Sequence, residues 1–219
     1  MQVFVGVHRV PPPALRQFVH GYDGYRLSGF DPGVHAGLPS PYLTVVLSLD
    51  RPLTVQACGF DDSYESLVGG LSMSPVALPH DGNQHGIQIS MTPMGSRTLL
   101  GMPTSELGDL VVELRDVIGS DAIELRERIA AESTWAARFA VCDEVFARRL
   151  ADANPNADVH HGWRRLVGDG GARVADVADE IGWSRRHLVT KIRTEFGITP
   201  KDAVRLGRFT DPTSTCAGT

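Results

Sequence analysis

The residues that could do chemistry are few, and their spacing argues against most reactions. His80 and His85 flank Asp81-Gly82-Asn83-Gln84, and His35 precedes a glycine loop. A small metal-holding barrel would need two histidines one residue apart, a carboxylate at a fixed distance and another histidine on a later strand. That pattern is absent, and the residues between His80 and His85 are turn formers rather than a helical turn. Loop histidines are the simpler reading. No Gly-x-Ser-x-Gly elbow occurs, Ser40 and Ser48 near His35 lack a positioned third group, and no glycine loop suits a phosphate. Gly69-Gly70 reads as a bulge or turn. Cys58, Cys142 and Cys216 are odd in number and far apart, which suits reduced thiols. The expectation is therefore no catalysis, no metal and no cofactor.

Cationic side chains offer a different chemistry. Arg185 and Arg186 stand at the start of a helical segment, with Thr190 and Arg193 about one turn further along the same face. Arginine pairs in bidentate fashion with guanine in the major groove, at about 1–3 kcal/mol of discrimination per good contact. Lys191 and His187 suit phosphates, which add affinity without selectivity. Residues 159–209 hold ten Lys/Arg and six Asp/Glu, a net of +4, whereas the chain as a whole carries 21 and 26, a net of −5. An acidic protein thus concentrates its positive charge where a phosphate backbone would need it. The alternative is a solvated helix face with no partner.

Two short helices position those arginines. Val174, Val177, Ala178 and Ile181 fall at helical spacing, while Asp176, Asp179 and Glu180 face away. Gly182 can end the first helix in a left-handed conformation, and Ser184 can cap the second. Leu188, Ile192 and Phe196 then step by four and pack back on the first helix. This is the helix-turn-helix pattern, in which the second helix enters the major groove.

Gly182-Trp183-Ser184-Arg185-Arg186-His187-Leu188, with Phe196-Gly197-Ile198-Thr199-Pro200 and residues 205–209 beyond, resembles the first half of the DNA-binding domain of AraC-type transcriptional regulators. The upstream segments Pro11-Pro12-Pro13-Ala14-Leu15-Arg16, Gly37-Leu38-Pro39-Ser40 and Gly86-Ile87-Gln88 resemble the sensor region of one branch of that family. The resemblance implies two helix-turn-helix units joined by a linker helix. Here Pro200 opens a linker-like helix with Ala203, Val204 and Leu206, and Thr210-Asp211-Pro212-Thr213-Ser214-Thr215-Cys216-Ala217-Gly218-Thr219 follows without apolar periodicity. The expected reader is therefore shortened after its first unit, and weak DNA binding by the lone unit is expected, most visible at low salt.

The remaining 150 or so residues must sense or assemble. Hydrophobic content of 42% and charged content of 21% indicate a folded globular chain. The lack of a membrane-length apolar run and of a basic-then-apolar start makes a cytoplasmic location the expectation. Residues 43–49, β-branched and apolar between Pro41 and Pro52, give the clearest strand. Residues 2–7, 25–27, 53–58, 66–71 and 86–91 read as further short strands, and residues 14–22 as a helix after the proline run. The fold class expected is α+β: a small cupin-like β-barrel with a helical layer, then an all-α helix-turn-helix. Its segments are a β-rich sensor at 1–103, helical packing or dimerisation at 104–150, a linker at 151–158, the DNA-binding half-domain at 159–209 and a tail at 210–219.

Leu107, Leu110, Val111, Leu114, Val117 and Ile118 suggest one helix, Ile123, Leu125 and Ile129 a second, and Trp135, Phe139, Cys142, Val145, Phe146 and Leu150 a third. Such helices could cover the barrel and keep one apolar face for a homodimer, or bury it within one chain. A barrel cavity would be lined by His35, Tyr42, Thr44, His80 and Gln88, the candidates for an unidentified small-molecule effector. Double-stranded DNA and that effector are the expected partners. A sensor or dimerisation protein without useful DNA binding is the alternative, and a cupin enzyme a further one.

Overall fold

The computed structural model describes residues 1–57, 60–150, 157–168 and 172–208. Cys58 and Cys216, most of the 151–158 linker, the glycine turn at 169–171, Phe209 and the 210–219 tail lie outside the described residues.

The strands are β1 (Val3–Arg9), β2 (Val19–Ser28), β3 (Gly33–Gly37), β4 (Leu43–Ser48), β5 (Leu53–Ala57), β6 (Phe60–Tyr64), β7 (Ser66–Gly69), β8 (Val76–His80), β9 (Gln84–Met91) and β10 (Val111–Glu113). They form a six-stranded sheet in the order β1-β2-β9-β4-β7-β10 and a four-stranded sheet in the order β3-β8-β5-β6, antiparallel throughout. Among the described residues no backbone pairing joins the two sheets. The expected closed barrel is thus an open pair of sheets.

Strand alternation explains why the sheets do not close. In β4, Leu43, Val45 and Leu47 are fully buried, as are their cross-strand neighbours Ile87, Ile89 and Met91 on β9. That face packs with Tyr22, Leu125, Ile129, Phe139 and Phe146 in one large core. The other face carries Thr44, Val46, Gln88 and Ser90. Only its lower part finds apolar partners: Val46 and Leu67 meet Val55 and Tyr64 of the four-stranded sheet, with Tyr25, Leu53, Val76 and Leu78 around them. Burial stabilises in proportion to apolar area, so the helical side dominates and the space between the sheets holds a thin core.

A short helix α1 (Pro93–Gly95), capped by Thr92, runs into a π-helical turn (Ser96–Leu100). The apolar stripe at 107–118 is not one helix. It divides into α2 (Thr104–Leu107), β10 and α3 (Leu114–Ile118). Gly108 ends α2, and the β-branched pair Val111 and Val112 joins the sheet edge beside Gly69 and Val68. Glu113 locks that edge by accepting from the Ser66 amide at 2.9 Å and its hydroxyl at 2.6 Å. The expected 14–22 helix is also replaced: i-to-i+3 bonds from Leu15 to Pro12 and Phe18 to Leu15 make turns, and β2 starts at Val19.

Helices α4 (Ser120–Ala131) and α5 (Trp135–Leu150) pack as a hairpin on the large sheet. Leu125, Ile129, Phe139, Cys142, Val145 and Phe146 are all buried within the chain. Their outer side carries ion pairs, with Arg128 between Glu124 and Glu144 and Arg148 on Glu124. Most of the apolar stripe is thus packed on the chain's own sheet, while Ile123 stays 48% exposed.

The last helices are α6 (Ala157–Val167), α7 (Val174–Glu180), α8 (Arg185–Phe196) and α9 (Pro200–Gly207). Helix α6 begins inside the stretch read as linker. Val177 and Ala178 of α7 and Leu188, Ile192 and Phe196 of α8 are buried with Trp163, Leu166, Ala203 and Leu206. In the turn between α7 and α8, Gly182 adopts φ +70° and the Trp183 amide donates to the Ala178 carbonyl at 2.8 Å. Ser184 accepts from the His187 amide at 3.2 Å, and Thr199 caps α9 from Asp202 at 3.1 Å. Among the described residues no helix is long and apolar enough to cross a membrane.

Candidate functional site

Helix α8 has two unlike sides. Leu188, Ile192 and Phe196 face inward at 0–1% exposure, whereas Arg185, Arg186, His187, Thr190, Lys191 and Arg193 are exposed. Arg186, Thr190 and Arg193 lie at i, i+4 and i+7, so they share one face over about 10 Å of helix. The Thr190 hydroxyl donates to the Arg186 carbonyl at 3.0 Å, which leaves its oxygen free to accept. No side-chain hydrogen bond or ion pair ties Arg185, Arg186, Lys191 or Arg193 to another described residue. At the head of the helix Trp183 meets the His187 ring edge-on at 4.7 Å, fixing the turn against α8. A helix of about 10–12 Å diameter with free guanidinium groups along one face has the dimensions and donors for a DNA major groove.

The opposite end of α8 is held by the N-terminal half. Glu195, 8% exposed, receives two bonds from the Arg97 guanidinium, at 2.6 and 2.7 Å. The Ser105 hydroxyl of α2 donates to the Thr194 carbonyl at 2.6 Å. The pairing holds the Arg97 guanidinium more firmly protonated, with its bonds to Glu195 the chief cause. A cleft of about 270 Å³ opens beside this contact, lined by Leu71, Met73, Gly108, Ile198, Thr199 and Asp202 among others. None of these contacts carries a sequence signal, because Arg97 and Glu195 are 98 residues apart and neither belongs to a motif.

The candidate effector residues fall into separate groups. Thr44 and Gln88 lie on the large sheet, where Thr44 opposes Ser90 and Gln88 opposes Val46, and Tyr42 stands in the bend just before β4. Tyr42 stacks on His20 with ring centres 4.2 Å apart, and burial pushes its hydroxyl above the ordinary tyrosine range. Gln88 is exposed. His35 and His80 sit on the small sheet, their rings 4.4 Å apart, on the side that Leu78 shares with the thin core. His80 accepts from the Gly82 amide at 3.0 Å. Burial and then the neighbouring His35 lower its pKa, against the pull of Asp81. No described hydrogen bond or ring contact joins the two groups.

Three residues not singled out in the sequence accompany Tyr42. His8 contacts Asp23 at 2.8 Å, and His20 is held below the ordinary imidazole range by burial and then by His8, with Asp23 opposing. Their sequence neighbours gave no hint, since His8 lies just past the strand read at 2–7 and His20 falls in the stretch read as helical. Among the described residues no group of three or more His, Cys, Asp or Glu is placed to hold a metal ion.

The sequence matches no family model and no curated protein. Solved structures similar to the chain include ToxT from Vibrio cholerae O395, at 16% identity, 86% coverage of this chain, 79% of that chain and a TM-score of 0.45. An apo ToxT variant from Vibrio cholerae strain SCE256 aligns at 13% identity over 92% of this chain and 82% of that one, with a TM-score of 0.48. The AraC-like transcriptional activator CuxR aligns at 11% identity over 95% and 94%, with a TM-score of 0.34. At TM-scores below 0.5 these likenesses fix neither family nor function, so the reading of the chain rests on its own residues.

Proposed function

We propose that the chain is a ligand-responsive transcriptional regulator of the AraC type, in which α7, its turn and α8 form a helix-turn-helix that lies against double-stranded DNA. The observation that carries the reading is the two-sidedness of α8: a buried stripe of Leu188, Ile192 and Phe196 and an exposed face of Arg185, Arg186, Thr190, Lys191 and Arg193. Arg185 and Arg186 meet base edges, Thr190 extends the reading one turn further and Arg193 a second turn, and Lys191 holds a phosphate. The two sheets at 1–103 serve as the sensor, 104–150 as the packing layer and 159–209 as the reader. The effector, a small molecule, is taken up between the sheets beside Tyr42, Thr44 and Gln88, with His35 and His80 on the facing sheet. No step of bond making is assigned to any residue, and the chain is read as a non-enzyme.

The test is a gel-shift titration at low salt against a duplex enriched from a random pool, with Arg186→Ala and Arg193→Ala beside the parent protein. Each variant is expected to lose most of its preference for the enriched duplex while keeping its thermal stability. Unchanged affinity and preference in both variants would remove this face as the reader.

A further inference from the structure

Glu195 is an acid in a place that disfavours one, on the inward side of α8 between Ile192 and Phe196. What compensates it is Arg97, which reaches across from the π-helical turn and bonds both carboxylate oxygens. The helix whose first turn carries Arg185 and Arg186 is therefore gripped at its last turn by the N-terminal half. On α6, His160 is buried to 1% exposure, with its ring 6.3 Å from that of Phe196. Neither of its ring nitrogens has a hydrogen-bond partner among the described residues. A buried imidazole without an acceptor is tolerated while neutral and strongly disfavoured once charged.

We propose that Arg97, Glu195 and His160 form a proton-sensitive latch that sets how α8 is seated on the N-terminal half, closed when His160 is neutral and open when it is protonated. A charged His160 has one acceptor of opposite sign at hand, the Glu195 carboxylate, and so competes with Arg97 for it. Burial is the chief influence keeping the ring neutral; Arg97 and Arg164 also oppose its protonation, and Glu195 favours it. The other charged groups on the helices around α6 are engaged elsewhere or exposed. Glu180 of α7 is turned to His161 and Arg165, and Asp202 of α9 to Thr199 and Arg205. Lys191 and Arg193 of α8 and Lys201 and Arg205 of α9 are exposed.

The sign follows from the lowered pKa. The unseated form binds the proton more readily than the seated one, so the seated form is at full strength above the ordinary imidazole value of 6.5 and weakens as the pH falls below it. The consequence for DNA, that acid changes how the reader is presented, rests on the function proposed above; the latch does not.

Hydrogen exchange read by mass spectrometry on the full chain, in steps from about pH 7.5 to about pH 5.5 and corrected for intrinsic rates, separates the outcomes. In the parent protein, peptides covering 97–108 and 185–198 are expected to lose protection by up to about tenfold per pH unit, while β4 and β9 keep theirs. His160→Gln and His160→Phe should both abolish that pH dependence, and Arg97→Gln should lower protection at every pH. Protection of 185–198 that ignores pH in the parent, or the same dependence in both His160 variants, would overturn the latch. Loss in β4 and β9 in step with α8 would overturn it too, since that is general acid unfolding. A parallel DNA titration at low salt tells the two ideas apart: absence of DNA binding at every pH refutes the reader and leaves the exchange result standing.

Discussion

Salt is the most direct perturbation of the proposed reader, because phosphate contacts release counterions in proportion to their number. Arg185, Arg186, Lys191 and Arg193 stand exposed on α8 without a described side-chain partner. With Lys191 on a phosphate and the three base-reading arginines also brought into the phosphate field, up to four displaced counterions at about 0.9 each give an upper-bound slope of roughly −3.6 for log affinity against log salt. A fourfold rise from about 50 to 200 mM then weakens binding by up to about 150-fold. Removing one phosphate contact with Lys191→Ala should bring the slope to about −2.7 and weaken every duplex equally. Arg186→Ala should instead cost about 1–3 kcal/mol of preference for the enriched duplex over a scrambled one. Fluorescence anisotropy of labelled duplexes at constant pH and varied salt measures both quantities. A slope shallower than about −1, or one that Lys191→Ala leaves unchanged, would refute the assignment of this face to DNA.

Other expectations concern the scaffold. Phe139, fully buried between Tyr22 and Trp135, should cost about 3–5 kcal/mol when cut to alanine, read as a shift in the denaturant midpoint with unchanged slope. Gly82→Ala should be far more damaging than Gly101→Ala: both have positive φ, but a Cβ at Gly82 would stand 1.8 Å from the Phe30 carbonyl oxygen, whereas one at Gly101 meets nothing within 4 Å. Thermal melts that rank them the other way would contradict the packing around Phe30. Cys142 is buried and its thiol is pushed up to about 12, so peptides containing it should escape alkylation in the native protein at about pH 8 and react fully in denaturant.

The elements legible in the sequence are those whose cause is local. The spacing of Val177, Leu188, Ile192 and Phe196, the cap at Ser184 and the positive φ at Gly182 act within a turn or two, so pattern alone locates α7 and α8. Strand β4 is equally plain because Val45 and Val46 favour extended backbone on any sheet. Strands β3 and β6 were invisible: glycine, aspartate and serine have little tendency to form strands, and these segments are extended because β8 and β5 supply hydrogen-bond partners. The 107–118 stripe misled because residues buried by different elements happened to fall at helical intervals. For the candidate site, local spacing marks which side chains of α8 point outward. The Arg97–Glu195 contact and the His20–Tyr42 stack join residues distant in the chain, and only the tertiary fold reveals them.

In the large sheet, adjacent residues answer to different compartments: Val45 to the helices, Val46 to the space before the small sheet. Mutation can therefore recut one surface of the wall while leaving its reverse untouched. Chemical selectivity on that surface is free to diverge between descendants at little expense to foldability, whereas the reverse side stays constrained by close packing.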